Sequence, residues 1–152
     1  MSNDKPSYQS LDRFTKGYIE ALFFTEDSYT DRKEFESAAH QKRMKQGFAE
    51  GTLPSGAGFL ELSQAAISEI ISDCARFQEI AADKLEQAYR ENAYDQEHAG
   101  RDFWFTRNGH GVGFWDRKLK NGIGTDLSGL CGWGTDFCEV NPNWESGEVH
   151  LY

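Results

Sequence analysis

DFWFTRNGHGVGFWDR, residues 102–117, is the stretch on which the reading of the whole chain turns. Two aromatic-rich runs, FWFT and VGFW, flank Asn108-Gly109-His110-Gly111, and an Asn-Gly pair between such runs is the strongest short-range signal for a β-hairpin. Whether the turn takes two residues or four, side-chain parity puts Phe103, Phe105, Val112 and Phe114 on one face of the ribbon and Trp104, Thr106, Gly113 and Trp115 on the other. The first is the expected core face. The second is aromatic and open to solvent, with Gly113 leaving room for the Trp104 indole to lie across the strands.

The chain of 152 residues is the size of one domain, long enough to bury roughly two thirds of its unfolded surface without disulfides or metal. No apolar run approaches the ~20 residues of a membrane span, and the opening MSNDKPSYQS has neither the basic region nor the apolar core of a secretory signal. A cytoplasmic location and no membrane association are expected. Three cysteines do not make a disulfide framework, and Cys131 and Cys138 lack the spacing of a zinc site. Both are expected in apolar surroundings as reduced thiols of raised pKa. The histidines, His40, His98, His110 and His150, are scattered, and only His150 in the last strand is expected near Cys138. Neither a metal site nor a cofactor is expected.

The formal charge is −9, and it is unevenly placed. Residues 60–100 carry 3 Lys/Arg against 9 Asp/Glu, a net of −6. Such a field repels phosphates, which are normally met by basic patches, so nucleic-acid binding is disfavoured.

Along the chain, Leu11, Phe14, Tyr18, Ile19, Leu22 and Phe23 recur at helical spacing, giving a helix from about 11 to 24 with Ser10 as its N-cap. Asp31 with Glu34 resembles a capping arrangement for a second helix reaching Phe48, on which Lys42, Arg43 and Lys45 read as a solvated basic face. The glycine-rich GTLPSGAG lacks the Lys-Ser/Thr of a phosphate loop and reads as a flexible connector, so that 25–59 looks like a flexible or inserted segment. The clearest helix starts after Ser63. Leu62 and Ile67 form a hydrophobic staple around that cap, and Ile70, Cys74, Phe77, Ala81, Leu85 and Ala88 continue one stripe, with a break expected near 92–95 and a stop at Gly100. Its acidic residues, Glu69, Asp73, Glu79, Asp83, Glu86 and Glu91, read as a solvated outer face. Residues 118–136 suggest a loop and a short helix weakened by glycine, with Leu127, Leu130, Cys131 and Trp133 at near-helical spacing. FCEV, NPNWESG and EVHLY then read as strand, loose turn and strand. The expected architecture is α+β: an antiparallel sheet of two β-hairpins against two or three helices, in one domain.

The run FWFTRNGHGVGFWDR, with YIEALFF, LSQAAISEIISDC and the closing hairpin, resembles a family of small uncharacterised proteins of bacteriophages and other mobile elements, whose signature is close to DFWxTRNGHGxGFWDRG. Lys118 stands where that signature has glycine. The resemblance implies a phage or mobile-element setting, and no activity comes with it.

The candidate site therefore rests on the residues themselves: Arg107, Asn108 and His110 at the hairpin tip, Trp104 and Trp115 on its open face, and Asp116 at its base. As a binding surface they supply Arg and Trp anchors of the kind that dominate protein interfaces. Structurally, Asn108-Gly109 would only be the turn, with Arg107 and Asp116 paired. A catalytic reading, a small hydrolase centred on His110, needs that residue as general base oriented by Asp102 or Asp116, but the hairpin would put them at opposite ends, roughly 15 Å apart at ~3.3 Å per residue. A third reading stacks single-stranded nucleic acid on Trp104 and Trp115, against the acidic balance. The combined expectation is a small acidic accessory protein that acts by binding a host or viral protein rather than by catalysis.

Overall fold

The structure is a computed structural model that describes residues 5–25, 53–54, 57–91 and 93–152. The helix expected to reach Phe48, with His40 and the basic run Lys42, Arg43 and Lys45, lies outside the described residues. Among the described residues are five α-helices, α1 (Arg13–Thr25), α2 (Gln64–Ile80), α3 (Ala82–Tyr89), α4 (Gln96–Arg107) and α5 (Ile123–Ser128), and one antiparallel hairpin, β1 (Pro142–Glu145) with β2 (Glu148–Leu151). The fold is α+β. It has one hairpin where two were expected.

The missing hairpin is the one at 102–117. Asp95 opens α4 instead, its carboxylate accepting the His98 backbone N–H at 2.9 Å, an N-cap that satisfies a donor the helix leaves unpaired. The other end closes on Asn108-Gly109. Gly109 sits at φ +68°, its N–H donates to Thr106 O, and the His110 N–H donates to Phe105 O at 3.0 Å. This is the Schellman pairing that ends helices on a left-handed glycine. The dipeptide that signals a two-residue hairpin thus serves here as a helix stop. The chain then turns through a 3-10 segment, Phe114–Asp116. Of the four residues assigned to the core face, Phe103, Phe105 and Phe114 are buried, whereas Val112 is exposed; of the opposite pair, Trp104 is 1% exposed and Trp115 is 53% exposed. A helix enclosed on several sides has no wet face at 104, which is why strand parity failed.

Gly100 also has a different role from the one expected. It lies inside α4, where an added Cβ would come within 1.8 Å of the Phe14 carbonyl oxygen of α1, and a Cβ on Gly17 would meet Glu97 O at 2.2 Å. The two glycines let the α1 and α4 backbones cross at close range, and α1 is consequently buried at Phe14, Tyr18, Ile19, Leu22 and Phe23. Its cap is Asp12, whose Oδ1 accepts Thr15 N–H at 2.7 Å, and not Ser10, whose hydroxyl donates to Ser7 O.

The helix after Ser63 matches its reading closely. Ser63 Oγ accepts Ala66 N–H at 3.0 Å, and Leu62, Ile67, Ile70, Cys74, Phe77, Ala81, Leu85 and Ala88 are all buried. A first break falls at Ala81 (φ −96°, ψ 12°), and the one expected near 92–95 falls between the end of α3 at Tyr89 and the start of α4 at Gln96. The aromatic core centres on Phe77, whose ring stacks on Phe103 at 4.2 Å and Phe114 at 5.7 Å and meets Phe137 edge-on at 5.3 Å.

In the closing hairpin, NPNWESG contains a strand rather than a loose turn. Trp144 faces Val149, both buried, and the turn is Ser146-Gly147 with φ +53° and +79°, the pair of positive values that a type I′ turn requires. Ser63 N–H donates to Val149 O at 2.9 Å, which fastens the hairpin to the start of α2. Leu53 and Ala57 of the supposed connector are core residues. No helix among the described residues is long and apolar enough to cross a membrane.

Candidate functional site

Half of the candidate residues singled out from the 102–117 run are committed to holding the end of α4. Arg107 is buried. Its Nε donates to Cys138 O at 2.8 Å, and its Nη1 donates to Asp73 Oδ2 at 2.9 Å and to the Tyr18 hydroxyl at 3.1 Å. The guanidinium also lies over the Phe103 ring, 5.2 Å from its centroid. One side chain therefore ties α4 to α1, α2 and the segment before β1. Asp73, read as part of a solvated acidic face, is the carboxylate that balances this charge. Burial, countered only partly by Arg107, pushes the Tyr18 phenol far above its ordinary pKa.

Asn108 is a clasp. Its Nδ2 donates to Trp104 O and its Oδ1 accepts Val140 N–H at 2.8 Å. Trp104 donates its indole N–H to Thr25 Oγ1 at 2.8 Å, so it has no face left for a base or a partner. Asp116 accepts the Gly113 N–H at 3.0 Å, and Thr106 Oγ1 accepts the Phe114 N–H at 3.2 Å. The Arg107–Asp116 pair is replaced by Arg107–Asp73 and Arg117–Asp102. Asp102 is 1% exposed; Arg117 grips it through Nε and Nη2 at 2.8–3.1 Å, and the Tyr94 hydroxyl donates to it at 2.8 Å.

This arrangement removes the catalytic geometry proposed for His110. The imidazole is exposed and meets Phe105 edge-on at 6.0 Å, a contact between the residues that the Schellman motif brings together. Asp102 is committed to Arg117 and Tyr94, and Asp116 to the Gly113 backbone, so neither orients the imidazole. Three of the six candidate residues, Arg107, Asn108 and Trp104, hold the fold from within. His110, Asp116 and Trp115 stay at the surface.

Among the described residues, the most exposed aromatic side chain is elsewhere. Trp133 is 99% exposed, on a loop from Cys131 to Phe137 that is closed at its base by a β-bridge. Gly132 N–H donates to Phe137 O at 2.9 Å, Thr135 N–H donates to Gly132 O, and the Thr135 hydroxyl both donates to Gly132 O at 2.8 Å and accepts Phe137 N–H. Gly132 at φ +106° and Gly134 at φ +81° permit the tight path. The near-helical spacing that grouped Trp133 with Leu127 does not hold, because α5 ends at Ser128. Between this loop and the end of α4 lies a cleft of about 320 Å³ lined by Thr106, Asn108, Gly109, Trp133, Cys138 and Glu139.

The cysteine reading needs one correction. Burial pushes the Cys131 thiol up to about 12 and that of Cys74 well above its ordinary value, but Cys138 is exposed. It also precedes β1, and the residue that pairs with His150 is Asn143. Among the described residues no group of three or more His, Cys, Asp or Glu side chains is placed to hold a metal ion. Lys118 has φ +57°, a conformation that glycine adopts more freely than lysine.

No protein-family model matches the chain, and neither the curated proteins nor the solved structures contain a significant match to it.

Proposed function

We propose that this chain acts by binding another protein and that Trp133 is the anchor of the docking surface. The observation that supports the reading is the near-complete exposure of Trp133 on a loop fixed by its own hydrogen bonds. A tryptophan carries ~150–250 Å² of contact area, so burying it in a partner is worth roughly 4–6 kcal/mol at ~25 cal/mol per Å² before the costs of association. The closed loop lowers those costs, because the knob is ordered before it binds. Asp136 and Glu139, both exposed, flank it, and the chain as a whole carries −9. The partner that fits is a protein with an apolar socket rimmed by lysine or arginine. In the phage or mobile-element setting that the DFWFTRNGHGVGFWDR run implies, this is a host or viral protein, and the chain is an accessory protein.

The nucleic-acid alternative loses its platform with Trp104 buried, and the hydrolase alternative loses its dyad with Asp102 bound to Arg117.

The test is affinity capture from lysate of the host, with wild type, Trp133→Ser and Ile80→Ser as baits. The expected result is one stoichiometric partner that binds wild type and Ile80→Ser, weakens with rising salt, and is lost with Trp133→Ser by about thirtyfold or more, as for a hot-spot residue. Capture indifferent to Trp133→Ser overturns the reading, as does wild-type self-association through Trp133 in sedimentation.

A further inference from the structure

On another part of the surface, a cleft of about 290 Å³ lies between the connection from α3 to α4 and the segment after Phe114–Asp116. Arg117, Lys118, Lys120 and His98 line it, with Glu91 and with Tyr94 and Leu119 as its apolar part. Three full cations and one carboxylate line the cleft, in a protein whose net charge is −9; behind the lining, Arg117 is paired with Asp102 and lies 3.7 Å from Asp116, and His98 is paired with Asp95. Glu91 is moreover engaged, since its Oε1 accepts the Lys120 backbone N–H at 2.8 Å and its Oε2 lies 3.8 Å from Lys120 Nζ.

The cations are not all paired off. Arg117 is held in place from below by buried Asp102 through Nε and Nη2, which leaves Nη1 without a hydrogen bond among the described residues. Lys118 is exposed and enters no hydrogen bond or ion pair among the described residues. It adopts φ +57°, and two other non-glycine residues with positive φ, Ala93 and Asn121, lie at or beside the same cleft. Left-handed backbone at ordinary residues persists where surrounding structure imposes it, and it clusters at sites that bind. A guanidinium locked by a buried carboxylate, next to ammonium groups, is the arrangement that recognises phosphoryl oxygens. Carboxylates beyond about 10 Å are screened at 0.1 M salt, and what an entering anion meets first is Lys118 and the Nη1 of Arg117, both unpaired among the described residues.

We propose that this cleft binds a phosphate group carried by a small molecule, with Arg117 Nη1, Lys118 and Lys120 as its donors. The volume lies at the small end of ligand sites, so the phosphoryl group is the main recognition element.

Calorimetric titration of the intact protein with inorganic phosphate, pyrophosphate and adenosine monophosphate, in low salt and against chloride at equal ionic strength, tests it. Expected is saturable 1:1 binding of at least one probe, weakened about tenfold or more by Lys118→Gly and by Lys120→Ala. Glycine is the mild truncation at 118 because it relieves the positive φ. Similar affinity for all three probes means that the phosphoryl group alone is read, and tighter binding of the nucleotide means that Tyr94 and Leu119 add contacts; both support the site. Absence of saturation up to about 10 mM with every probe overturns it, and so does binding that the double variant Lys118→Gly/Lys120→Ala leaves unchanged while its melting temperature matches wild type.

Discussion

Two X-Gly turns of this chain, Asn108-Gly109 and Ser146-Gly147, behave in opposite ways. Asn108-Gly109 has the stronger hairpin chemistry and ends a helix, with only Gly109 left-handed; Ser146-Gly147 has the weaker and forms the hairpin, with both residues left-handed. A helix C′ position and a type I′ turn both need a residue at positive φ, so one dipeptide satisfies either. The flanks decide between them. Upstream of Asn108, Asp95 caps a helix, whereas around Ser146 the pair Trp144 and Val149 must face the core together. Turn chemistry says where the backbone reverses or stops, and the burial of what flanks it says which.

The largest effect expected from this contrast is at Arg107. Arg107 fastens the end of α4, so Arg107→Ala leaves Asp73, only 16% exposed, with the more distant Arg76 at 3.8 Å and takes the donor from Tyr18 and from Cys138 O; it should cost about 3–5 kcal/mol in urea denaturation. His110→Ala, on the same run but at the surface, should cost under about 0.5 kcal/mol. Equal losses at the two positions would mean that the run is not divided into structural and exposed residues as described.

A smaller effect sharpens the turn comparison itself. Asn108→Ser removes two side-chain hydrogen bonds, to Trp104 O and from Val140 N–H, and should cost about 1–2 kcal/mol. Ser146→Asn places a residue that tolerates left-handed backbone at a position already held at φ +53°, and should stabilise by about 0.5 kcal/mol. Chemical denaturation of the two variants decides the matter. A stabilising Asn108→Ser would show that Asn108 is present as a turn residue alone.

What was legible depended on how many faces an element buries. The stripe from Ala66 to Ala88 shows through because α2 and α3 keep one wet side, and a period near 3.6 then appears in the letters. In α4, Phe103, Trp104 and Phe105 are consecutive and all buried, so no period survives and FWFT reads equally well as a strand. Gly100 looked like a stop because its partner in the α1 crossing is more than eighty residues away. Trp133 groups in the sequence with Leu127, Leu130 and Cys131 because their spacing is near-helical, a pattern that does not hold because α5 ends at Ser128. The cationic cleft was invisible for a similar reason: Tyr94 and His98 are brought to Lys118 and Lys120 only when α4 is a helix.

The other end of α4 gives a smaller effect than Arg107 or Asn108, and one that depends on pH. Partial burial would raise the Asp95 pKa, but the His98 backbone N–H and ring at 2.9 and 2.7 Å, with Arg13 at 2.9 Å, outweigh it and hold the carboxyl at about 2, below its ordinary 3.8. A depressed folded-state pKa contributes stability that is complete above the unfolded value and is lost as pH falls through the folded one, here between about pH 4 and pH 2. The side chain is 40% exposed, and solvent screening limits the contribution to about 0.5–1 kcal/mol. Asp95→Asn keeps a good capping group without a titrating charge, so it should match wild type within a few tenths of a kcal/mol near pH 2 and fall below it above pH 4. Asp95→Ala should lose about 1 kcal/mol at neutral pH through the missing cap. The difference between the wild-type and Asp95→Asn stability curves isolates this carboxylate from all others. A difference that stays flat from pH 4 to pH 2 would show that the charge on the cap adds nothing to the helix that replaced the expected hairpin.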